Sequence, residues 1–169
     1  NGLGPGAFKS LRKFESEVIS MTANLLSAPD GAGNMTSGGT ESILMAVKTA
    51  RDYARAERGV ADPEMVLPVS AHPAFDKSAQ YLGVKAVHTP VRDDFRADVD
   101  AIRNAITLST VLVVGSAPNY PFGTIDDIPQ IAALASERGV PCHVDACLGG
   151  FLLPFVERLG EEVRPWDFR

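Results

Sequence analysis

Two stretches of this chain combine residue types that could do chemistry. The first is Met35-Thr36-Ser37-Gly38-Gly39-Thr40-Glu41-Ser42. Apolar residues recur at helical spacing just after it (Ile43, Leu44, Val47, Ala50, Ala54), so the glycine pair sits where a loop becomes a helix. A helix start offers unpaired N–H groups and the positive end of the macrodipole, which together hold a phosphate. Two glycines let an anion approach the backbone, and Ser37, Thr40 and Ser42 add hydroxyl donors. The same residues also suit an ordinary N-cap on Ser37 or Thr40. The second stretch is Asp145, followed by Ala146-Cys147-Leu148-Gly149-Gly150. A carboxylate ending an apolar strand needs a cationic partner to stay ionised, and a protonated heterocyclic nitrogen would be one. A turn or helix cap is the plainer use of such an aspartate.

Three further positions accompany these. His143 lies two residues before Asp145, so strand alternation points both to one face, where His143 could orient the carboxylate or be a satisfied core histidine. His72 precedes Pro73 at a helix start and could stack on a flat ligand, exchange a proton or cap the helix. His88, near a strand end and two residues before Pro90, is read as structural.

The elements that must position these groups follow a rhythm. Residues 8–26 read as an amphipathic helix with Leu11, Phe14, Val18, Met21, Thr22 and Leu25 on one stripe. After the glycine-pair helix, strands are expected at 65–69, 84–89, 111–114 and 140–144, with helices at 74–82, 99–106 and 128–137. Continuous apolar strands alternating with helices of this size predict a parallel sheet covered on both faces. Ligands of such sheets bind at the carboxyl edge of the strands. Ser70-Ala71-His72, Gly115-Ser116-Ala117-Pro118-Asn119-Tyr120 and Asp145-Ala146-Cys147 would all lie there, facing the start of the glycine-pair helix.

Composition narrows the classes. The chain has 169 residues, 45% of them hydrophobic, enough for one domain or a large piece of one. It holds no apolar run long enough to cross a membrane and no signal-peptide pattern at its start. A net charge of −5 with scattered Lys and Arg argues against nucleic acid. Cys142 and Cys147 make neither a disulfide framework nor a metal site, so no metal and a reducing, cytoplasmic setting are expected, with a membrane anchor before Asn1 left open.

Four segments occur together in the order and spacing of one family: Thr36-Ser37-Gly38-Gly39-Thr40-Glu41-Ser42-Ile43, Ser70-Ala71-His72-Pro73-Ala74-Phe75-Asp76-Lys77, Gly115-Ser116-Ala117-Pro118-Asn119-Tyr120-Pro121 and His143-Val144-Asp145-Ala146-Cys147-Leu148-Gly149-Gly150-Phe151. Over nearly its whole length the chain resembles the pyridoxal-phosphate (PLP) enzymes of the group II decarboxylase family. The run Cys147-Leu148-Gly149-Gly150-Phe151 favours the sphingosine-1-phosphate lyase branch. The resemblance implies a fold type I large domain, a three-layer α/β/α arrangement on a mostly parallel sheet. It implies that Ser37, Gly38, Gly39 and Thr40 bind the cofactor phosphate, that His72 stacks on the pyridine ring, and that Asp145 pairs with the ring nitrogen. Ala146 would pack beside the ring, with Ser116 and Asn119 near its hydroxyl or the substrate. Phe122 and Ala117 stand where family members commonly have His and Thr, a departure in that same loop.

The family holds its cofactor through the lysine of a His-Lys pair, which the resemblance places beyond Asp167-Phe168-Arg169. The lysines here are Lys9, Lys13, Lys48, Lys77 and Lys85, none preceded by His. The expected organisation is therefore a leading helix and loop over residues 1–30 and, over 31–169, the N-terminal part of a PLP-binding large domain, inactive alone. The implied reaction is retro-aldol cleavage of a phosphorylated long-chain amino alcohol to a fatty aldehyde and phosphoethanolamine, in a homodimer. The alternatives are an amino-acid decarboxylase and a non-catalytic relative. A nucleotide-binding module is disfavoured, since neither G-x-G-x-x-G nor G-K-[ST] is present at the glycine pair.

Overall fold

The computed structural model describes residues 6–168. Its elements are α1 (Lys9–Leu25), α2 (Gly39–Arg58), β1 (Glu64–Pro68), α3 (Ala74–Leu82), β2 (Lys85–Thr89), α4 (Val99–Ala105), β3 (Thr110–Ser116), α5 (Ile128–Glu137), β4 (Cys142–Asp145) and α6 (Gly149–Arg158). The four strands form one parallel sheet in the order β2-β1-β3-β4. This is the three-layer arrangement anticipated from the alternating pattern.

Each central strand is apolar on both sides because each side faces a helix layer. Met65 and Leu67 of β1 and Leu112 and Val114 of β3 pack with Ile43, Val47 and Ala50 of α2 and Phe75 and Ala79 of α3. Val66 and Val113, pointing the other way, pack with Val99 and Ile102 of α4 and Ile131, Leu134 and Ala135 of α5. All seven residues of β3 are buried. A third, smaller cluster joins Ala117, Ile128 and Trp166, so a residue near the end of the chain closes the layer beside β4.

The helix boundaries follow local chemistry. Gly59 and Gly83 end α2 and α3 with φ of 66° and 62°, the left-handed conformation that favours glycine. Asp98 caps α4 by accepting from the amides of Asp100 and Ala101, and Asp127 caps α5 by accepting from Gln130 N–H.

The structure departs from the sequence expectation in three places. Helix α6 lies in a segment where none was expected: it starts on Gly149-Gly150 and carries Pro154 inside it. The strands are offset by one or two residues, β3 running on to Ser116 and β4 to Asp145. The apolar stripe of α1 does not enter the core, since no α1 residue is buried. Phe14 and Met21 are 61% and 67% exposed, because α1 packs on α6 and not on the sheet.

Candidate active site

The amides of Gly39, Thr40 and Glu41 stand ahead of the first helical hydrogen bond of α2, which Ser42 N–H donates to Gly38 O at 3.0 Å. In front of them the space is open: a Cβ on Gly38 would meet nothing within 4 Å. The loop leading in is locally braced. Thr36 Oγ1 donates to Gly38 O at 3.1 Å and lies 2.7 Å from Ser42 Oγ. Ser37 N–H donates to Glu41 Oε2 at 2.6 Å, and the Ser37 hydroxyl donates to the same oxygen. These bonds, the hydroxyl's first, hold the Glu41 carboxyl below the usual carboxylate range. The Ser37 hydroxyl, expected to face a phosphate, is thus turned onto Glu41, whereas the Gly39 and Thr40 amides precede the first helical bond.

The second arm is β4. In the parallel register Ser116 pairs with Asp145 and Val114 with His143. Val114 faces the α2–α3 layer, so His143 and Asp145 face it too. The His143 ring meets Phe75 of α3 edge-on, with centroids 5.6 Å apart. Burial pulls the His143 pKa below its ordinary value, and the Asp145 charge acts against that shift. His143 is therefore a partly buried ring on the same face as the carboxylate, packed against Phe75. Asp145 Oδ1 accepts from Cys147 N–H at 3.2 Å, the turn-forming bond of an aspartate at a strand end.

The two arms meet. A Cβ on Gly39 would lie 3.6 Å from Cys147 Sγ, which places the start of α2 against the turn that Asp145 holds. Cys142, three residues before Asp145, packs against the opposite α4–α5 layer. Burial there pushes its thiol up to about 11, so it is protonated at neutral pH.

The loops after β1 and β3 close the rim. The rings of His72 and Tyr120 meet edge-on at 5.2 Å. His72 Nδ1 accepts from Ala74 N–H at 3.1 Å, fixing the ring at the start of α3. Two serines at this edge, Ser70 and Ser116, are each 1% exposed, and their hydroxyls have no hydrogen-bond partner among the described residues. Ser70 was not singled out from sequence, because its burial depends on how far β1 runs before turning.

Asn119 has a different task from the one expected of it. Its Nδ2 donates to Phe95 O at 3.0 Å and to Thr124 Oγ1 at 2.7 Å, and its Oδ1 accepts from Phe122 N–H at 3.1 Å. It braces its own loop. Phe122, at the position where the family commonly has His, stacks on Phe95 at 4.4 Å. The buried carboxylate behind this loop is Asp126, which accepts from Ala97 N–H and Ser116 N–H at 2.8 and 2.9 Å. Burial raises its pKa, opposed by those two amides, the Asn119 amide and the Arg96 charge. Nothing in the sequence separates it from its neighbour Asp127, which caps α5.

Four of the lysines engage partners elsewhere. Lys77 Nζ lies 5.7 Å over the Tyr81 ring, along its own helix as expected, while Lys48, Lys85 and Lys13 pair with Asp52, Glu64 and Glu17. His88, expected to lack supporting neighbours, places Nε2 2.8 Å from Asp76 Oδ1 across the β2–α3 surface. No group of three or more His, Cys, Asp or Glu among the described residues is arranged to hold a metal, and no helix among them is long and apolar enough to cross a membrane.

Residues 10–168 match the family described as the pyridoxal-dependent decarboxylase conserved domain. The sphingosine-1-phosphate lyase of Arabidopsis thaliana is 50% identical over 99% of this chain, which spans 32% of that protein. The L-aspartate decarboxylase of Thermococcus kodakarensis is 42% identical over 98% of this chain and is spanned to 42%. Among solved structures, the Burkholderia pseudomallei sphingosine-1-phosphate lyase superposes with a TM-score of 0.94 at 44% identity, over 100% of this chain and 41% of that one. The fold is accordingly that of fold type I PLP enzymes.

Proposed function

Because this chain belongs to the pyridoxal-dependent decarboxylase family, we propose that it forms the cofactor-gripping part of a PLP-dependent carbon–carbon lyase acting on phosphorylated sphingoid bases. The products are a fatty aldehyde and phosphoethanolamine. The observation that carries this reading is the meeting of the two arms: the open start of α2 abuts, through Cys147, the turn held by Asp145. A phosphate and a protonated ring nitrogen at opposite ends of one flat molecule suit those arms.

The residues present fit PLP. Three amides stand free of the helical ladder beside open space at Gly38, where an anion can approach them. Asp145 would supply the anionic partner for the ring nitrogen, and the Ser116 hydroxyl, in register with it, lacks a partner among the described residues. When bound, PLP supplies an electron sink for the pair left by the broken bond.

The chain's own residues then divide the work. The backbone of Gly38, Gly39 and Thr40 binds the phosphate through N–H groups and the α2 dipole. Asp145 would pair with the ring nitrogen and keep it protonated, with His143 on the same face of β4 beside it. His72, held by Ala74 N–H, would cover the ring face, and Ala146 would pack at its side. Ser116 would offer its hydroxyl to the ring. Asn119 acts indirectly, by bracing its loop.

The chain spans about a third of the lyase relatives' length. We assign residues 31–169 to the N-terminal part of the large domain, and the covalently anchoring lysine to another part of the whole protein. The whole protein is proposed to be a homodimer working in the cytoplasm. An amino-acid decarboxylase is the second reading, favoured by the 42% identity to the Thermococcus enzyme. The test is to incubate the full-length protein and its Asp145→Ala variant with sphinganine-1-phosphate and, separately, with L-aspartate and L-glutamate. Fatty aldehyde formation by the parent, lowered at least about 100-fold in the variant, supports the lyase. Carbon dioxide release from an amino acid without aldehyde formation selects the decarboxylase.

A further inference from the structure

The buried carboxylate of Asp126 has no part in the reading so far. It is 0% exposed, on the approach to α5, and its bonds run to the end of β3 and to the loop before α4. Oδ2 accepts from Ser116 N–H at 2.9 Å, while Asp126 N–H donates to Ser116 O at 3.0 Å. Ser116 is thus held from both sides of its peptide by one residue. Oδ1 accepts from Ala97 N–H at 2.8 Å, tying in the loop whose Phe95 carbonyl receives Asn119 and Thr124. The next residue of β3's exit, Ala117, donates its N–H to Asp145 O at 2.8 Å. A continuous run of backbone bonds therefore connects Asp126 to Ser116 and, one residue on, to Asp145.

We infer that Asp126 is a positioning residue for the ring-binding carboxylate: by clamping the Ser116 peptide it fixes where Asp145 and the Ser116 hydroxyl stand. This rests on the proposed PLP reading and adds to it a residue that touches neither cofactor nor substrate. The physical reason is that β4 is paired only on the β3 side within the described residues, so the register at Ser116↔Asp145 has one neighbour to set it. A buried, doubly accepting carboxylate is a stiff anchor, because releasing either amide leaves polar groups unpaired away from water. Misplacement of a reacting partner by about 1 Å costs on the order of 100-fold in rate.

The experiment compares the full-length protein with Asp126→Asn, whose amide keeps the size but offers one acceptor fewer to the two N–H groups. Three readouts are expected to move together. The visible absorption band of the bound cofactor shifts or changes its pH profile. The kcat per bound cofactor falls about tenfold or more, with KM nearly unchanged. In hydrogen exchange, the Ala117 amide, which is bonded to Asp145, exchanges faster than in the parent. A variant that loses only melting temperature, with all three readouts intact, overturns the inference. Should Asp126→Asn fail to fold, exchange on the parent decides. Amides of Ser116 and Ala97 as slow as those of central β3 support the clamp, and amides faster than these overturn it. A parent that binds no PLP refutes the cofactor reading separately, and the Ala117 exchange comparison still judges the clamp.

Discussion

His143 shows at the level of one side chain how the site is tuned by its surroundings. It packs on Phe75 and faces the side of the sheet that Asp145 faces, and burial lowers its pKa below the ordinary value of 6.5. The unfolded chain therefore binds a proton there at a higher pH than the folded chain does. Stability is unaffected by this group above 6.5 and falls as pH drops from 6.5 through the lowered pKa. We expect resistance of the protein to urea to fall as pH drops from about 6.5 to 5, and His143→Gln to remove part of that slope. An identical slope in the variant would show that His143 is not buried uncharged. Asp126 has the opposite sign. Its pKa is raised by burial, so its contribution to stability declines as pH climbs through the carboxylate range. Most of these residues were legible as types and places: Gly38-Gly39, His72 and Asp145 lie where spacing put them. Their partners were not. No pattern in sequence reveals that Ser37 turns to Glu41, that Asn119 braces Phe95, or that Asp126 rather than Asp127 is buried, since each depends on contacts made across the fold.

At the level of elements, the strands and helices of the sheet were legible because their apolar periodicities differ and their ends carry glycine or aspartate. Helix α6 was not, for a physical reason. Gly149-Gly150 and Pro154 weaken its intrinsic propensity, and Pro154 removes the bond that its N–H would donate to Gly150 O. Tertiary contact holds it there instead. A Cβ on Gly149 would lie 1.8 Å from Ala117 O and 2.8 Å from Ala117 C, so the helix start rests directly on the backbone that leaves β3. That contact sits one residue from Ser116 and joins the β3 exit to the turn after Asp145. Gly149→Ala is expected to destabilise the protein by about 3 kcal/mol and to weaken PLP binding. Gly6→Ala, where a Cβ would meet nothing within 4 Å, serves as the control with little effect. Equal melting temperatures for the two variants would contradict the packing described.

At the level of the whole molecule, the proposed cofactor contacts belong to four segments that only the assembled sheet brings to one edge. Binding there reports on the global fold, so any ligand that grips both arms stabilises the folded state by mass action. At 100 times its dissociation constant PLP would add about 2.7 kcal/mol. Pyridoxal, lacking the phosphate that the start of α2 would hold, should raise the melting temperature less than PLP at equal concentration. Equal shifts would mean that the Gly38-Gly39 amides take no part. The arrangement was legible as architecture, since alternating strands and helices place the loops after the strands on one side. The exposed stripe of α1 was not, because periodicity reports that a face is apolar and says nothing of what covers it.

The strand order β2-β1-β3-β4 has a consequence for biosynthesis. The proposed phosphate site emerges from the ribosome about a hundred residues before the aspartate at the far end of the proposed ligand, and β4, which pairs with β3, is made last of the four strands. A nascent chain can offer half a grip early, yet it can close on the vitamin only when its last described strand has joined the sheet.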